Sequence, residues 1–168
     1  MNKLLLVLLV LFISISVFAE SKIGIVDMQR VIMEVNQGKA AMEKLKTEAE
    51  KQQKVMKEKE KDLMALEKEL KDLLNNPAAD KAKILEKQKN GQEKLMLYQQ
   101  EAQKIQSDLS KKEQKAAGEI LEKAQKIILD VTKKEGFEII LNKAAVLYAP
   151  NSIDITNQVI REYDKINK

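Results

Sequence analysis

Residues 63–77 read Leu-Met-Ala-Leu-Glu-Lys-Glu-Leu-Lys-Asp-Leu-Leu-Asn-Asn-Pro, and they decide the architecture. Leu63, Leu66, Leu70 and Leu73 are spaced 3-4-3, after which Asn75-Asn76-Pro77 breaks the run. Extended backwards, the same spacing takes in Met42, Leu45, Ala49, Gln52, Met56 and Lys59. Extended forwards beyond the break, it resumes through Ile84, Gln88, Gly91, Leu95, Tyr98, Ala102, Ile105, Leu109, Lys112 and Ala116. This is the period of a coiled-coil seam on two helices that must lie antiparallel. Such a hairpin has almost no interior, so its function is expected to reside on a long surface. Pro77 suits the first turn of a returning helix with Asn76 as its N-cap, which predicts a tight tip at 75–77.

Outward from the arm, the chain begins with Lys3, an apolar run from Leu4 to Ile13, and then Ser14, Ser16, Val17 and Ala19. The run is short for a membrane span, and Val17 and Ala19 stand where a signal peptidase reads. Residues 1–19 are therefore expected to be a signal peptide, cleaved between Ala19 and Glu20. No cysteine follows that could carry a lipid, and the mature chain is expected to be exported to the periplasm in soluble form.

The 168 residues carry 30 Lys and Arg against 26 Asp and Glu, with no cysteine and no histidine. Disulfides, thiolate chemistry and the commonest neutral-pH base are thereby excluded. No glycine-rich phosphate loop, calcium loop or nucleophile elbow is present. The chain is expected not to be an enzyme, with no catalytic residue, cofactor or metal ligand. By segment the charge is about −1 over 20–38, about +4 over 39–115 and about zero over 116–168, so the excess lies on the arm. Arg30 and Arg161 are the only arginines. Lysine favours loose electrostatic contact over bidentate recognition. With so small an excess and no aromatic–basic platform, nucleic acid is not an expected partner.

The arm is bounded at 39–115, and the remainder, 20–38 with 116–168, forms a discontinuous head. Lys22-Ile23-Gly24-Ile25-Val26 reads as a strand, and Asp27 caps a short helix through Val35. Asn36-Gln37-Gly38 reads as a turn. The return helix continues to Lys134, its apolar spacing shifting near Ala116 towards a 3.6-residue period, which fits packing on a globular body. Gly136 caps it. Phe137-Glu138-Ile139-Ile140-Leu141 and Ala145-Val146-Leu147-Tyr148-Ala149 read as strands, and Asp154 caps a final helix with Ile155, Val159, Ile160, Tyr163 and Ile166 on one face. The fold class is α+β, mostly α. So small a head buries little apolar surface, and its open strand edges call for a symmetric oligomer. Ile23, Ile25, Val26, Phe137, Ile139, Leu141, Val146 and Tyr148 are the expected oligomerisation residues.

The K-I-G-I-V-D-M start, the lysine- and glutamate-rich hairpin, and the closing E-G-F-E-I-I-L-N-K-A-A-V-L-Y-A…D-I-T-N-Q-V together resemble the OmpH/Skp family of periplasmic chaperones. The resemblance covers the whole mature chain, Glu135 to Val159 being its most specific part. It implies a jellyfish-like trimer, with a β-barrel-like body and three helical-hairpin arms around a cavity. It also implies an ATP-independent holdase that keeps unfolded outer-membrane proteins soluble. The arms here hold fewer arginines than the family's.

Partners are then unfolded outer-membrane proteins and further copies of the chain, with outer-membrane assembly machinery or anionic lipid as additional candidates. On the arm, Lys51, Lys54, Met56, Lys57, Lys61, Met64, Lys83, Lys87, Lys94 and Met96 are the candidate client contacts. Met64 stands out because it falls outside the seam, and methionine adapts to varied partners. The polar and small seam positions are tolerated imperfections or a means of loosening the arm. The alternative function is a structural or adaptor hairpin of an envelope or export assembly, docking through its tip.

Overall fold

A computed structural model describes residues 21–167, and the expected signal peptide and its cleavage point lie outside them. The elements run β1 (Ile23–Val26), α1 (Met28–Glu34), α2 (Asn36–Leu74), α3 (Lys81–Glu135), β2 (Ile139–Asn142), a 3-10 turn (Lys143–Ala145), β3 (Ile153–Asp154) and α4 (Thr156–Ile166). The chain is mostly helical, with a small strand-containing head. Antiparallel α2 and α3 build the arm.

The arm's seam follows the 3-4 spacing. Leu45, Ala49, Gln52, Met56, Leu63, Leu66, Leu70 and Leu73 on α2 are each half-buried, as are Ile84, Gln88, Gly91, Tyr98, Ile105 and Leu109 on α3. Met42 and Leu95, by contrast, are exposed. From Lys39 to Glu119 no residue is fully buried, as expected of two helices that can cover each other only along one stripe. The period changes where α3 reaches the head: Ile120, Ala124, Ile127 and Val131 are buried on one face.

Those four side chains form the core with Val26, Val31, Val35, Phe137, Ile155, Val159 and Tyr163. The sheet is parallel, ordered β2-β1-β3. Ile23 stands beside Ile139 and Ile25 beside Leu141, while Gly24 stands beside Ile153 on the other edge. Gly24 and Val26 face the helices, leaving Ile23, Ile25, Ile139 and Leu141 on the outer face. Asp27 caps α1 by accepting from the Arg30 N–H at 3.0 Å. Gly136, at φ 69°, closes α3 in the left-handed conformation its sequence position foretold.

Four local expectations need correction. The connection between the arms is 75–80, longer than a tip at 75–77. Asn76 turns the chain, its Oδ1 accepting from the Ala78 N–H at 3.0 Å, and Asp80 caps α3 through the Ala82 N–H at 2.9 Å. Asp80 takes the capping role expected of Asn76.

Asn36-Gln37-Gly38 is already helix. The break is the single residue Val35, extended at ψ 150°. Gly38 serves close approach, since a Cβ there would overlap the Ile32 carbonyl oxygen. The α2 N-terminus is capped from a distance, its Asn36 N–H donating to Asp164 Oδ1 at 2.8 Å.

The first closing strand is shifted, running Ile139–Asn142 in place of 137–141. Phe137 instead enters the core, with Lys22 Nζ 4.2 Å from its ring centre.

Ala145–Ala149 is not a strand within this chain. Asn142 Oδ1 accepts from the Ala144 N–H and starts the 3-10 turn, and the second partner of β1 is Ile153–Asp154. Leu147 and Tyr148 are left exposed.

Candidate functional site

The arm carries the candidate contacts, and the structure sorts them. Lys51, Lys54, Lys57, Lys61, Lys83 and Lys94 are exposed. Lys61 donates to Glu58 at 2.9 Å, and that hydrogen bond raises its pKa. Lys87 is partly covered and pairs across the arm with Glu69. Met56 is a half-buried seam residue, whereas Met64 and Met96 are exposed.

Two polar seam positions are cross-arm connections. Lys59 pairs with Glu101 and Lys112 with Glu48. With Lys87–Glu69 they make three ion pairs between α2 and α3, placed towards the root, in the middle and towards the tip. Each holds the antiparallel register at its level, and each is exposed enough to be screened by salt.

Shallow notches flank the seam. One, of about 200 Å³, lies among Lys59, Leu63, Lys94, Leu97, Tyr98 and nearby acids. Another, of about 490 Å³, is lined by Leu63, Leu66, Leu70, Gly91 and Leu95 with polar neighbours. Gly91 opens it: a Cβ there would still be 3.7 Å from Leu66 Cδ2. The first notch brings Lys94 together with Lys59, and the second includes Lys87. Lys83 lies with Lys87 nearer the tip, and Lys51 lies beside Glu48 nearer the root.

Sequence reasoning missed Leu63, Leu97 and Tyr98 as surface features. The signal was available in Leu95-Met96-Leu97-Tyr98, four consecutive apolar residues that span about 300° of a helix. One partner helix cannot cover them all.

In the head, the expected oligomerisation residues divide. Val26 and Phe137 are spent on the chain's own core. Ile23, Ile25 and Val146 are half-buried, and Ile139, Leu141 and Tyr148 are exposed. An ionic network fastens the helices behind the sheet. Arg30 holds Glu34 through two hydrogen bonds and reaches Asn157 Oδ1 at 3.0 Å. The mutual contact raises the Arg30 pKa and lowers that of Glu34. Tyr163 Oη and Lys123 Nζ both donate to Gln37 Oε1, at 2.7 and 2.9 Å. Among the described residues no cluster of acidic side chains could hold a metal, and no helix is long and apolar enough to cross a membrane.

A strand-bearing head closed around the roots of a long two-helix arm defines a class of helical-hairpin protein with a discontinuous head. The family model described as "Outer membrane protein (OmpH-like)" matches residues 22–163, and the chain belongs to that family. An uncharacterized protein of Aquifex aeolicus (strain VF5) is 35% identical over 141 residues, covering 83% of this chain and 84% of that one. The chaperone protein Skp of Pectobacterium atrosepticum is 27% identical over 155 residues, 92% of each chain. In fold, the chain is similar to an OmpH-like protein of Caulobacter crescentus CB15, with a TM-score of 0.75, 22% identity, and coverage of 88% of this chain and 86% of that one.

Proposed function

We propose that this chain is an ATP-independent periplasmic holdase that binds unfolded outer-membrane proteins between helical arms and prevents their aggregation. The observation that carries this is the arm itself, 81 consecutive residues from Lys39 to Glu119 without one fully buried side chain. Nearly half the protein is thus presented as surface on a framework with a half-open seam. Weak and numerous contacts on such a surface keep a client's ordering cost small. Release then needs no nucleotide, only a folding destination that binds better. The relationship to proteins named chaperone protein Skp supports the same function.

The holdase works as a homotrimer, its mature chain beginning at Glu20. Purely parallel sheets occur almost only with both faces covered. Here Ile23, Ile25, Ile139 and Leu141 form an apolar face that, among the described residues, has no helix of the same chain on it, next to exposed Leu147 and Tyr148. Further copies of the chain would cover that face, and Ala145–Ala149 would regain there the strand partner its composition calls for. Native mass measurement of the mature protein tests this: a single-chain mass overturns it.

The function is tested by diluting a urea-denatured outer-membrane barrel into buffer with a threefold molar excess of mature chains. Suppressed aggregation is expected, and unchanged aggregation overturns the holdase.

A second function, an adaptor hairpin docking by its tip, draws on exposed Leu74 and Leu85 beside the connection. Deleting the tip separates the two. An adaptor fails, whereas a holdase keeps most of its aggregation suppression.

A further inference from the structure

Away from the tip, where Leu74 and Leu85 are also exposed, the large exposed apolar side chains of the middle of the arm are not arranged as a stripe. Met64 is 61% exposed, Met96 53% and Leu97 59%. Their neighbours one helical turn away are polar throughout. Met64 is bracketed by Glu60, Lys61, Glu67 and Lys68, and Leu97 by Glu93, Lys94, Gln100 and Glu101. Met96 has Gln92, Glu93, Gln99 and Gln100.

A docking helix needs apolar partners at successive turns along one face. None of these three residues offers that, so neither a third helix nor another copy's arm fits lengthwise. What remains is a band around the middle of the arm, flanked by charge towards root and tip.

Two notches lie beside these residues on opposite flanks of the seam, Leu97 lining the first, while Met64 and Met96 stand next to lining residues without lining either notch themselves. Asp62 lines one and Glu67 the other, about 140° apart around α2. Leu63 contributes to both. The notch with Leu97 runs from Lys94 to Glu101, and the notch with Gly91 from Leu63 to Leu70. Seven residues of helix cover about 10 Å.

Three residues of extended chain span the same length, with two side chains on one face roughly 6.6 Å apart. Rim charge is balanced in both notches: Lys59 and Lys94 against Asp62 and Glu101, Lys87 against Glu67. A neutral rim around an apolar floor favours an occupant that is apolar on the side it presents.

We infer that the mid-arm band around Met64, Met96 and Leu97 is where the arm holds its client, gripping short extended segments whose apolar residues alternate with polar ones. This rests on the holdase function proposed above and names the segment it grips: the strand pattern of a membrane β-barrel, apolar on one face and polar on the other. Each notch seats two alternate side chains, and the intervening polar ones stay in water. The grip is on pattern, with many registers of equal quality along one client.

The test uses the intact mature protein and a fluorescently labelled, urea-denatured eight-stranded outer-membrane barrel. Met64→Ser/Leu97→Ser removes two exposed side chains from the band, and Val55→Ser/Leu85→Ser removes two exposed ones outside it. Circular dichroism melting verifies that both variants stay folded.

The band variant is expected to raise the client Kd at least tenfold, and the control less than twofold. A decapeptide alternating Leu with Thr is expected to compete for the band better than one of the same composition with Leu at helical spacing. Equal Kd values for the band variant and wild type, while wild type still suppresses aggregation, overturn the inference and leave the holdase standing. Equal losses in both variants, or equal competition by both peptides, also overturn it. A wild-type protein that suppresses no aggregation removes both proposals.

Discussion

The hydroxyl of Thr156 accepts from the backbone N–H of Asp27 at 2.9 Å, joining the end of the first strand to the start of the last helix across 129 residues of sequence. Thr156 is fully buried, and its own N–H donates to Asp154 Oδ1 at 2.9 Å. Thr156→Val keeps the shape but leaves the Asp27 N–H without its partner. A loss of about 1–3 kcal/mol in urea unfolding is expected, and Thr156→Ser should recover part of it. A neutral Thr156→Val would show that this junction does not hold the head together.

Asp154 makes the same junction sensitive to acid. Its pKa is lowered, first by the Thr156 side-chain hydrogen bond and further by the Thr156 N–H, Lys143 and Arg30. A depressed carboxylate contributes stability that is complete above its unfolded value, about 3.9, and disappears as pH falls through the folded value. Wild type should therefore lose stability below about pH 4 more steeply than Asp154→Asn. Urea midpoints between pH 5 and pH 3 measure this, and parallel slopes for the two proteins would refute it.

Two glycines in α2 and α3 should respond oppositely to alanine. At Gly91 the new methyl reaches ordinary contact with Leu66, and helix propensity gives about 1 kcal/mol of stabilisation. At Gly38 it collides with the Ile32 carbonyl oxygen, and a cost of about 1–3 kcal/mol is expected. Thermal melts of Gly91→Ala and Gly38→Ala decide it, with the same sign for both counting against the account.

The cross-arm pairs predict a salt dependence. Replacing Glu48, Glu69 and Glu101 together with Gln should cost about 0.2–1 kcal/mol per pair at low salt. At 1 M salt, where the screening length is about 3 Å, the difference from wild type should shrink. A gap that persists unchanged would mean that the pairs act through packing of the lysine stems.

The arm was legible because its signal is local. The 3-4 spacing of Leu63, Leu66, Leu70 and Leu73 depends on nothing outside the hairpin, and in the head the shift towards a 3.6 period near Ala116 and the glycine cap at Gly136 are likewise carried by neighbouring residues alone. Competing local signals were less so. Asn76 and Asp80 both suit an N-cap, and only the assembled turn assigns the first to the bend and the second to the helix.

Gly38 looked like turn chemistry because sequence shows that a side chain is missing, without showing what lies against it. Ala145–Ala149 has strand composition, but strand propensity reflects neighbours, and within one chain Ile153–Asp154 occupies the place beside β1. For the candidate site, selecting lysines and methionines by type picked out Met64 and Met96, which are exposed, and passed over Leu97, which is exposed too. Exposure depends on which side the partner helix covers, and residue type alone does not carry that.

The pairing of Ile23 with Ile139 also constrains the order in which this molecule can form. A strand at one end of the chain must wait for a partner more than a hundred residues later. As a flexible loop, that separation would impose a closure entropy growing as (3/2)RT ln n. A folded hairpin delivers its two roots side by side, so the interval shrinks to a few residues on either side. The arm is thus a scaffold for its own head during folding, before it meets any other protein. Substitutions that weaken the seam near the root, such as Leu45→Ala, should then slow refolding, whereas Val159→Ala in the head should chiefly speed unfolding. The long hairpin thus shortens the search by which the two distant ends of this chain find each other.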